Sequence, residues 1–374
     1  FGFTAVKFNH DVVQLPLWGL AGFALHAGLR HGRLWHWVLL GLAVGLALWA
    51  KYFVAMLVLP FALFMLLDPD ARKALGRPGP WIAVAVALIV MAPHLVWLVR
   101  NDFLPFTYAD MRAAPARGLI DHVWRPLGFA GGQLLFLLPA LLIAVPLAWP
   151  RPREAAATQA DAFDRRIVTL LAFGGAASVI ALAAVTGRGT VAMWGYPLWL
   201  FLGLWIVLGT WTAIDQARMA RIVWTWAAVF GLFVLVFVAD YLVLPAFDHR
   251  ARAVLYPGDA LAAVLDERFR VATGRPLAYV IGSMWDGGNV AHYSPETPQP
   301  RVLIDGLPRR APWIDLADLK ARGAVVVWTE SDPRVLPAAF GPVAGSAELG
   351  APFDLPFRRG DNVLHVGWAI LRPQ

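Results

Sequence analysis

Cysteine is absent from the 374 residues, which removes disulfides, thiol chemistry and cysteine-based metal sites from consideration and leaves the redox compartment open. Charge is scarce as well: Asp, Glu, Lys and Arg make up 15% of the chain, against 59% hydrophobic residues. With a mean hydropathy of +0.59, these proportions exclude an ordinary soluble domain and indicate a polytopic membrane protein. Acids are the rarer sign, and the deficit is local. Residues 1–245 hold 18 Lys/Arg against 11 Asp/Glu, whereas residues 246–374 hold 14 of each. The excess cations therefore lie in the membrane half, and nucleic acid is not expected as a partner. No spacing of the HExxH kind unites His10, His94 and His122, so no cofactor is implied and a divalent-metal requirement stays open. An initiating methionine is lacking too. FGFTAVKFNHD is neither a signal peptide nor a natural start, and the chain reads as a fragment missing its N-terminal part.

What is present in quantity is apolar sequence. The run from Trp37 to Leu67 contains a single charged residue, Lys51. One straight helix of that length would reach about 46 Å at 1.5 Å per residue, too long for a hydrocarbon core of roughly 30 Å. A reversal at Lys51 and Tyr52 instead makes two short spans and puts the ammonium at a membrane surface, where its desolvation cost falls. Further runs give eight predicted helices, near residues 11–28, 34–50, 52–67, 80–99, 127–149, 166–186, 191–213 and 222–244. Several carry proline, including Pro16, Pro60, Pro93, Pro139 and Pro146, and kinks are expected there.

Basic residues in short loops set the expected orientation, with eleven Lys/Arg on one side against seven on the other. The side with more becomes the inner one, and the C-terminal part then lies outside. The inner segment Pro150 to Arg166 has the alanine-rich, polar composition of a linker between two halves of the bundle. The outer segment Arg100 to Arg125 mixes charges with Phe103, Phe106, Tyr108 and Trp124, as suits a stretch lying in the interface beside a site. After Pro245 the pattern changes to short β-rich runs (277–283, 301–305, 324–330, 362–371) alternating with helical stretches (259–274, 314–323). The expected architecture is thus mainly α: a polytopic membrane helix bundle over residues 1–245, followed by a soluble, extracytoplasmic α/β domain over residues 246–374.

The outer face collects Lys7, Asn9, His10, Asp11, Lys51, Tyr52, Arg100, Asp102 and Arg188 at the ends of predicted spans. Snorkelling at helix ends explains any one of them, but four cations and two acids on one face also suit a lipid-anchored phosphate ligand with a polar head. TGRGT at 186–190 lacks the strand, helix and Gly-Lys-Ser/Thr context of a phosphate-cradling loop. His94, between Pro93 and Trp97 in an apolar span, is read as structural, Trp97, Trp194 and Trp211 as an aromatic belt, and WDGGN at 285–289 as a glycine-rich turn.

Four stretches resemble the bacterial family 39 glycosyltransferases, of GT-C type and related to the protein O-mannosyltransferases and the aminoarabinose transferases of lipid A. They are LGLAVGLALWAKYFVAMLVLPFALFML (40–66), AVKFNHDVVQLPLW (5–18), APHLVWLVRNDFLPFTY (92–108) and TGRGTVAMWGYPLWLFLGLW (186–205); MWDGGNVAHYSPETP (284–298) is similar to external domains of some members. The resemblance implies a hexosyl or pentosyl transferase of the bacterial inner membrane. Its donor would be a polyprenyl-phosphate-linked sugar, its acceptor a lipid or protein, and transfer would occur on the periplasmic side among membrane lipids. It makes Lys51 and Arg188 candidates for the donor phosphate and Asp11 an accessory acid at the cavity. Lys7, Tyr52, Arg100 and Asp102 become substrate-binding candidates near it. The principal catalytic base would lie in the first external loop, ahead of Phe1. A transporter or flippase for a lipid-linked sugar, or a membrane-anchored carbohydrate-binding protein, are the alternative readings; repeat symmetry and mid-membrane charge, expected of the transporter, are not evident in the sequence.

Overall fold

The computed structural model describes residues 9–106, 110, 113–149, 161–209, 215–247 and 250–374. The chain divides into two compact units, Phe1–Leu235 and Val236–Gln374.

The first unit is helical: α1 His10–His31, α2 Leu34–Ala50, α3 Ala55–Leu67, α4 Pro78–Arg100, α5 Asp121–Ala148, α6 Ala162–Thr186, α7 Leu202–Gly209 and α8 Gln216–Val238. Because a chain in hydrocarbon must satisfy its own N–H and C=O groups, seven of the eight apolar runs are α-helical over most of their described residues, and the eighth, 191–213, is broken. Among the described residues five helices are long and apolar enough to cross a membrane, and this is a multi-pass membrane protein. Asn9 caps α1 by accepting from the Asp11 and Val12 amides, and Gly32 ends it with φ 65°.

The reversal expected at Lys51 is present. Lys51 leaves α2 in extended conformation (φ −168°, ψ 134°), and a 3-10 turn over Tyr52–Val54 leads into α3. The segment 191–213 departs from the expected single helix. It forms a 3-10 stretch, Ala192–Trp199, and α7, bent by 51° with respect to each other. Pro197 and Gly195 sit inside the 3-10 stretch, and proline's missing N–H weakens a continuous α ladder there. The segment read as a linker ends before Asp161, which caps α6 by accepting from the Asp164 amide; residues 150–160 lie outside the described residues. That cap turns 161–166 into a helix start.

Packing of α2 on α4 relies on Gly41 and Gly45. A methyl group on either would overlap Val86 or Val90 and crowd the carbonyls of Ala83 or Ala87, so small residues let the two backbones approach. Trp18, Leu25, Trp37, Leu57, Ile167 and Leu198 form the core of the bundle. At the far end from Lys51, ion pairs fasten three helix termini: His26 to Asp164 at 2.8 Å, Arg166 to Asp68 at 2.6 Å and Asp70 at 2.8 Å, and Arg30 to Asp161. With α1 and α2 antiparallel, the N-terminus of α1, the α2/α3 break and the C-termini of α4 and α6 share the opposite end.

The second unit starts in the last turns of α8, which continue as a π-helical turn over Ala239–Val243. Its sheet has the order β2-β1-β3-β6-β4, with β5 pairing β6. The strands are β1 Tyr279–Gly282, β2 Arg301–Ile304, β3 Ala324–Trp328, β4 Glu348–Leu349, β5 Phe353–Pro356 and β6 Val363–Leu371. β1, β2 and β3 are parallel, and β6 runs antiparallel to β3 with Trp328 opposite Gly367. α9 Gly258–Thr273, α10 Asp286–Tyr293 and α11 Leu316–Arg322 precede or link the parallel strands. Apolar cores fill both faces, Leu261, Leu265 and Phe269 on one and Leu303, Leu319 and Phe340 on the other. The four strands and two helices expected here are present. WDGGN is different: it opens α10 instead of forming a turn. Gly287 packs on Val302 and Gly282, and the Asp286 amide donates to Ser283 Oγ at 2.9 Å, which starts the helix.

Candidate functional site

The end of the bundle that holds the α2/α3 break concentrates buried polarity. Asp11, in the first turn of α1, is 5% exposed, and the Lys51 ammonium donates to its Oδ1 at 2.7 Å. Helical spacing extends this pair inward. Gln14 Nε2 lies 3.4 Å from the same oxygen, and the Trp18 indole donates to Gln14 Oε1 at 3.2 Å. Residues 11, 14 and 18 fall on one face of α1, so a single stripe carries the charge and its supporting dipoles. His10 Nε2 lies 3.5 Å from the other carboxylate oxygen. The ammonium also sits over Phe53 and Trp194, 5.3 and 5.9 Å from the ring centroids, where ring quadrupoles attract a cation. The cation is therefore flanked by a carboxylate and two aromatic rings, with part of its side chain open to the surroundings.

Tyr52 turns the other way. Its hydroxyl is hydrogen-bonded to His94 Nε2 on α4, and its ring stacks on Phe106 at 5.4 Å. His94 is itself stacked on Trp97 at 5.5 Å and lies 5.1 Å from Trp49. The structural reading of His94 fits this geometry, with the addition that its partner is the residue next to Lys51. Trp194 is likewise more than a belt residue. Arg100 and Asp102 are exposed at the end of α4, and Asp102 adopts φ 48°, a left-handed conformation in which aspartate is among the more tolerated residues.

Arg188 follows the Gly187 cap of α6 and holds a neighbouring loop. Its guanidinium donates to Ala113 O at 3.2 Å and pairs with Asp110 at 2.5 Å. The Gly189 amide donates to Ala114 O at 2.9 Å, while Arg125 donates to the carbonyls of Ala114 and Pro115. Among the described residues, no hydrogen bond or ion pair joins Arg188 to Lys51 or Asp11. Trp194, six residues beyond Arg188, is what touches the Lys51 cation. Lys7 lies outside the described residues.

Further along the bundle, an apolar cavity of about 690 Å³ opens between α5, the 3-10 stretch, α7 and α8. Its walls include Ile143, Trp199, Ile206, Trp226 and Phe233, with Gln133 as a buried polar group. Gln133 donates to Ala192 O at 2.9 Å and accepts from the Trp199 indole at 3.0 Å, so its amide is satisfied by the bent segment. No local pattern of residues marks the cavity. The Asp11, Gln14, Trp18 stripe could have been read from its spacing. Among the described residues, no group of three or more His, Asp or Glu is placed to hold a metal.

Residues 1–97 match the family described as dolichyl-phosphate-mannose-protein mannosyltransferase. Over 375 aligned positions the chain is 28% identical to the lipopolysaccharide core galacturonosyltransferase of Rhizobium johnstonii, covering 90% of this chain and 68% of that protein. A lipid A galacturonosyltransferase of the same organism is 35% identical over 99 residues, 26% of this chain and 20% of that protein. No solved structure matches. These matches bear out the resemblance to GT-C glycosyltransferases of family 39, and with it a glycosyltransferase nature in general.

Proposed function

We propose that this chain carries the donor-phosphate site of a membrane glycosyltransferase that uses a polyprenyl-phosphate-linked sugar and a lipid acceptor at the outer face of a bacterial inner membrane. The observation that carries the reading is the half-buried Lys51 ammonium at a helix break, held at 2.7 Å by a carboxylate and flanked by two aromatic rings. Such a cation is positioned to donate a charge-assisted hydrogen bond to a phosphate oxygen in place of Asp11 Oδ1. Both relatives are named for galacturonosyl transfer, to a lipopolysaccharide core and to lipid A, which favours a uronosyl sugar and a lipid acceptor over a protein.

In this mechanism an acceptor hydroxyl attacks the anomeric carbon, the bond from that carbon to the phosphate oxygen breaks, and polyprenyl phosphate leaves. The hydroxyl proton passes to a carboxylate base. Lys51 compensates the charge growing on the leaving phosphate, and Asp11, freed from its partner, serves as an accessory acceptor of hydrogen bonds from the sugar or acceptor. Arg188 is the second candidate for the donor phosphate, and it would have to exchange its contacts to Ala113 O and Asp110 for it. The apolar cavity beside Gln133 suits a hydrocarbon chain of one of the two lipid substrates. Donor kinetics of the full-length enzyme test the assignment: Lys51→Met raises the donor KM, and an unchanged donor KM removes it.

A further inference from the structure

The parallel strands of the C-terminal unit end at one edge, and that edge is unusually apolar for a surface. Met284 and Trp285 after β1 are 61% and 50% exposed, Trp313 in the loop after β2 is 55% exposed, and Val335 after β3 is 58% exposed. Leu307 belongs to the same set at 45%. Exposed apolar side chains gathered at one edge suit a contact surface, and tryptophan at a membrane–water boundary keeps its ring in the apolar layer and its N–H in the wet one.

The path of the chain indicates which surface. The last apolar helix ends at Val243, and Arg252 returns to it, donating to the Asp240 carbonyl at 2.9 Å and pairing with its carboxylate at 2.7 Å. Four residues later Tyr256 is locked into the apolar edge itself. Its hydroxyl donates to Asp286 Oδ1 at 2.8 Å, and its ring meets Trp285 edge-on at 5.5 Å. At ~3.4 Å per residue, four residues span no more than ~14 Å. The edge bearing the tryptophans is thus the one tied to the end of a membrane-spanning helix.

We infer that the C-terminal unit rests on the bilayer through the C-terminal edge of its parallel strands, with Trp285 and Trp313 seated in the lipid interface. The partner is the lipid surface on the side where the last apolar helix emerges. Charge on the edge is mixed: Arg309, Arg334 and Arg359 are exposed beside Glu330, Asp332 and Asp361. Apolar insertion, with little attraction to anionic headgroups, therefore carries the contact. The inference does not depend on the glycosyltransferase reading.

None of these 374 residues is cysteine, which allows a direct test once any cysteine elsewhere in the protein is replaced by serine. In the full-length protein, Trp285→Cys and Trp313→Cys are labelled with an environment-sensitive fluorophore and reconstituted into phosphatidylethanolamine/phosphatidylglycerol vesicles containing nitroxide-headgroup lipid. Val271→Cys and Arg322→Cys, in the last turns of α9 and α11 at the other edge of the sheet, serve as controls. Quenching at least about twofold stronger at the edge positions than at the controls is expected for side chains lying in the interface. Equal quenching at both sets, or none, overturns the inference. Edge labels shielded from aqueous iodide but untouched by the lipid quencher overturn it too, because the cover would then be protein, such as a second copy.

Discussion

Replacing Lys51 by methionine keeps the length of the side chain and removes its charge, so its consequences can be worked out from one pair. The variant leaves Asp11, 7% exposed in its side chain, without its cation. Breaking a buried pair costs about 3–5 kcal/mol. A fifth of the Lys51 side chain is exposed, and Gln14 and His10 flank the carboxylate, which puts the expected loss near the lower end. Donor binding should fall separately. A hydrogen bond to a charged group contributes about 1.5–3 kcal/mol, or roughly 10- to 150-fold in affinity. The two effects separate in the double variant Lys51→Met/Asp11→Asn, which no longer buries a lone carboxylate. Thermal unfolding in detergent should show most of the stability restored, while steady-state kinetics should show donor KM still raised. Asp11→Asn alone frees the ammonium, so donor affinity should hold or improve while kcat falls. If the double variant recovers both stability and donor KM, Lys51 is a structural counter-ion and the phosphate assignment is wrong.

Three other outcomes follow from the same geometry. Tyr52→Phe and His94→Gln should each raise donor KM by a few-fold, and the double variant should be no worse than either alone, since both remove one hydrogen bond; additive effects in that cycle would dissociate the pair. Arg188→Ala removes the guanidinium from Ala113 O and Asp110, so the neighbouring Gly189 amide, which donates to Ala114 O, should exchange faster with deuterium while those of α6 do not. Asp266 is 3% exposed, and burial raises its carboxyl above the ordinary value despite the Ser294 hydroxyl on Oδ1, leaving Oδ2 without a partner. A raised folded pKa favours the fold at low pH, and that contribution is lost as pH rises through the raised value. Asp266→Asn should therefore stabilise the C-terminal unit at neutral pH by about 1–3 kcal/mol, with the gain shrinking as pH falls through the raised value and absent below ~pH 4. Hydrogen exchange of α9 at both pH values measures it, and a gain independent of pH would rule out ionisation as its cause.

Legibility differed between the two units for a physical reason. In hydrocarbon, composition alone fixes secondary structure, so seven of the eight apolar runs became helices and the lone Lys51 marked a break. In the C-terminal unit, alternation picked out β1, β2, β3 and β6, whose cores are apolar on both faces. β4 and β5 escaped because they are short and exposed, and α10 escaped because WDGGN has the composition of a turn; only Val302 and Gly282 on the neighbouring strands make it a helix. The bend between Ala192 and Gly209 depends on packing against Gln133 and was equally hidden.

Sequence alone determined that this is a multi-pass membrane protein with an appended α/β unit, because period and hydropathy act over neighbouring residues. It also determined that a cation and an aspartate sit at helix ends on one face. Tertiary structure decided what they touch. Lys51 and Asp11 are forty residues apart and meet because α1 and α2 pack antiparallel, whereas Arg188, equally basic, is drawn to carbonyls of a loop. Pairing of this kind depends on helix packing at a distance, which no local pattern encodes.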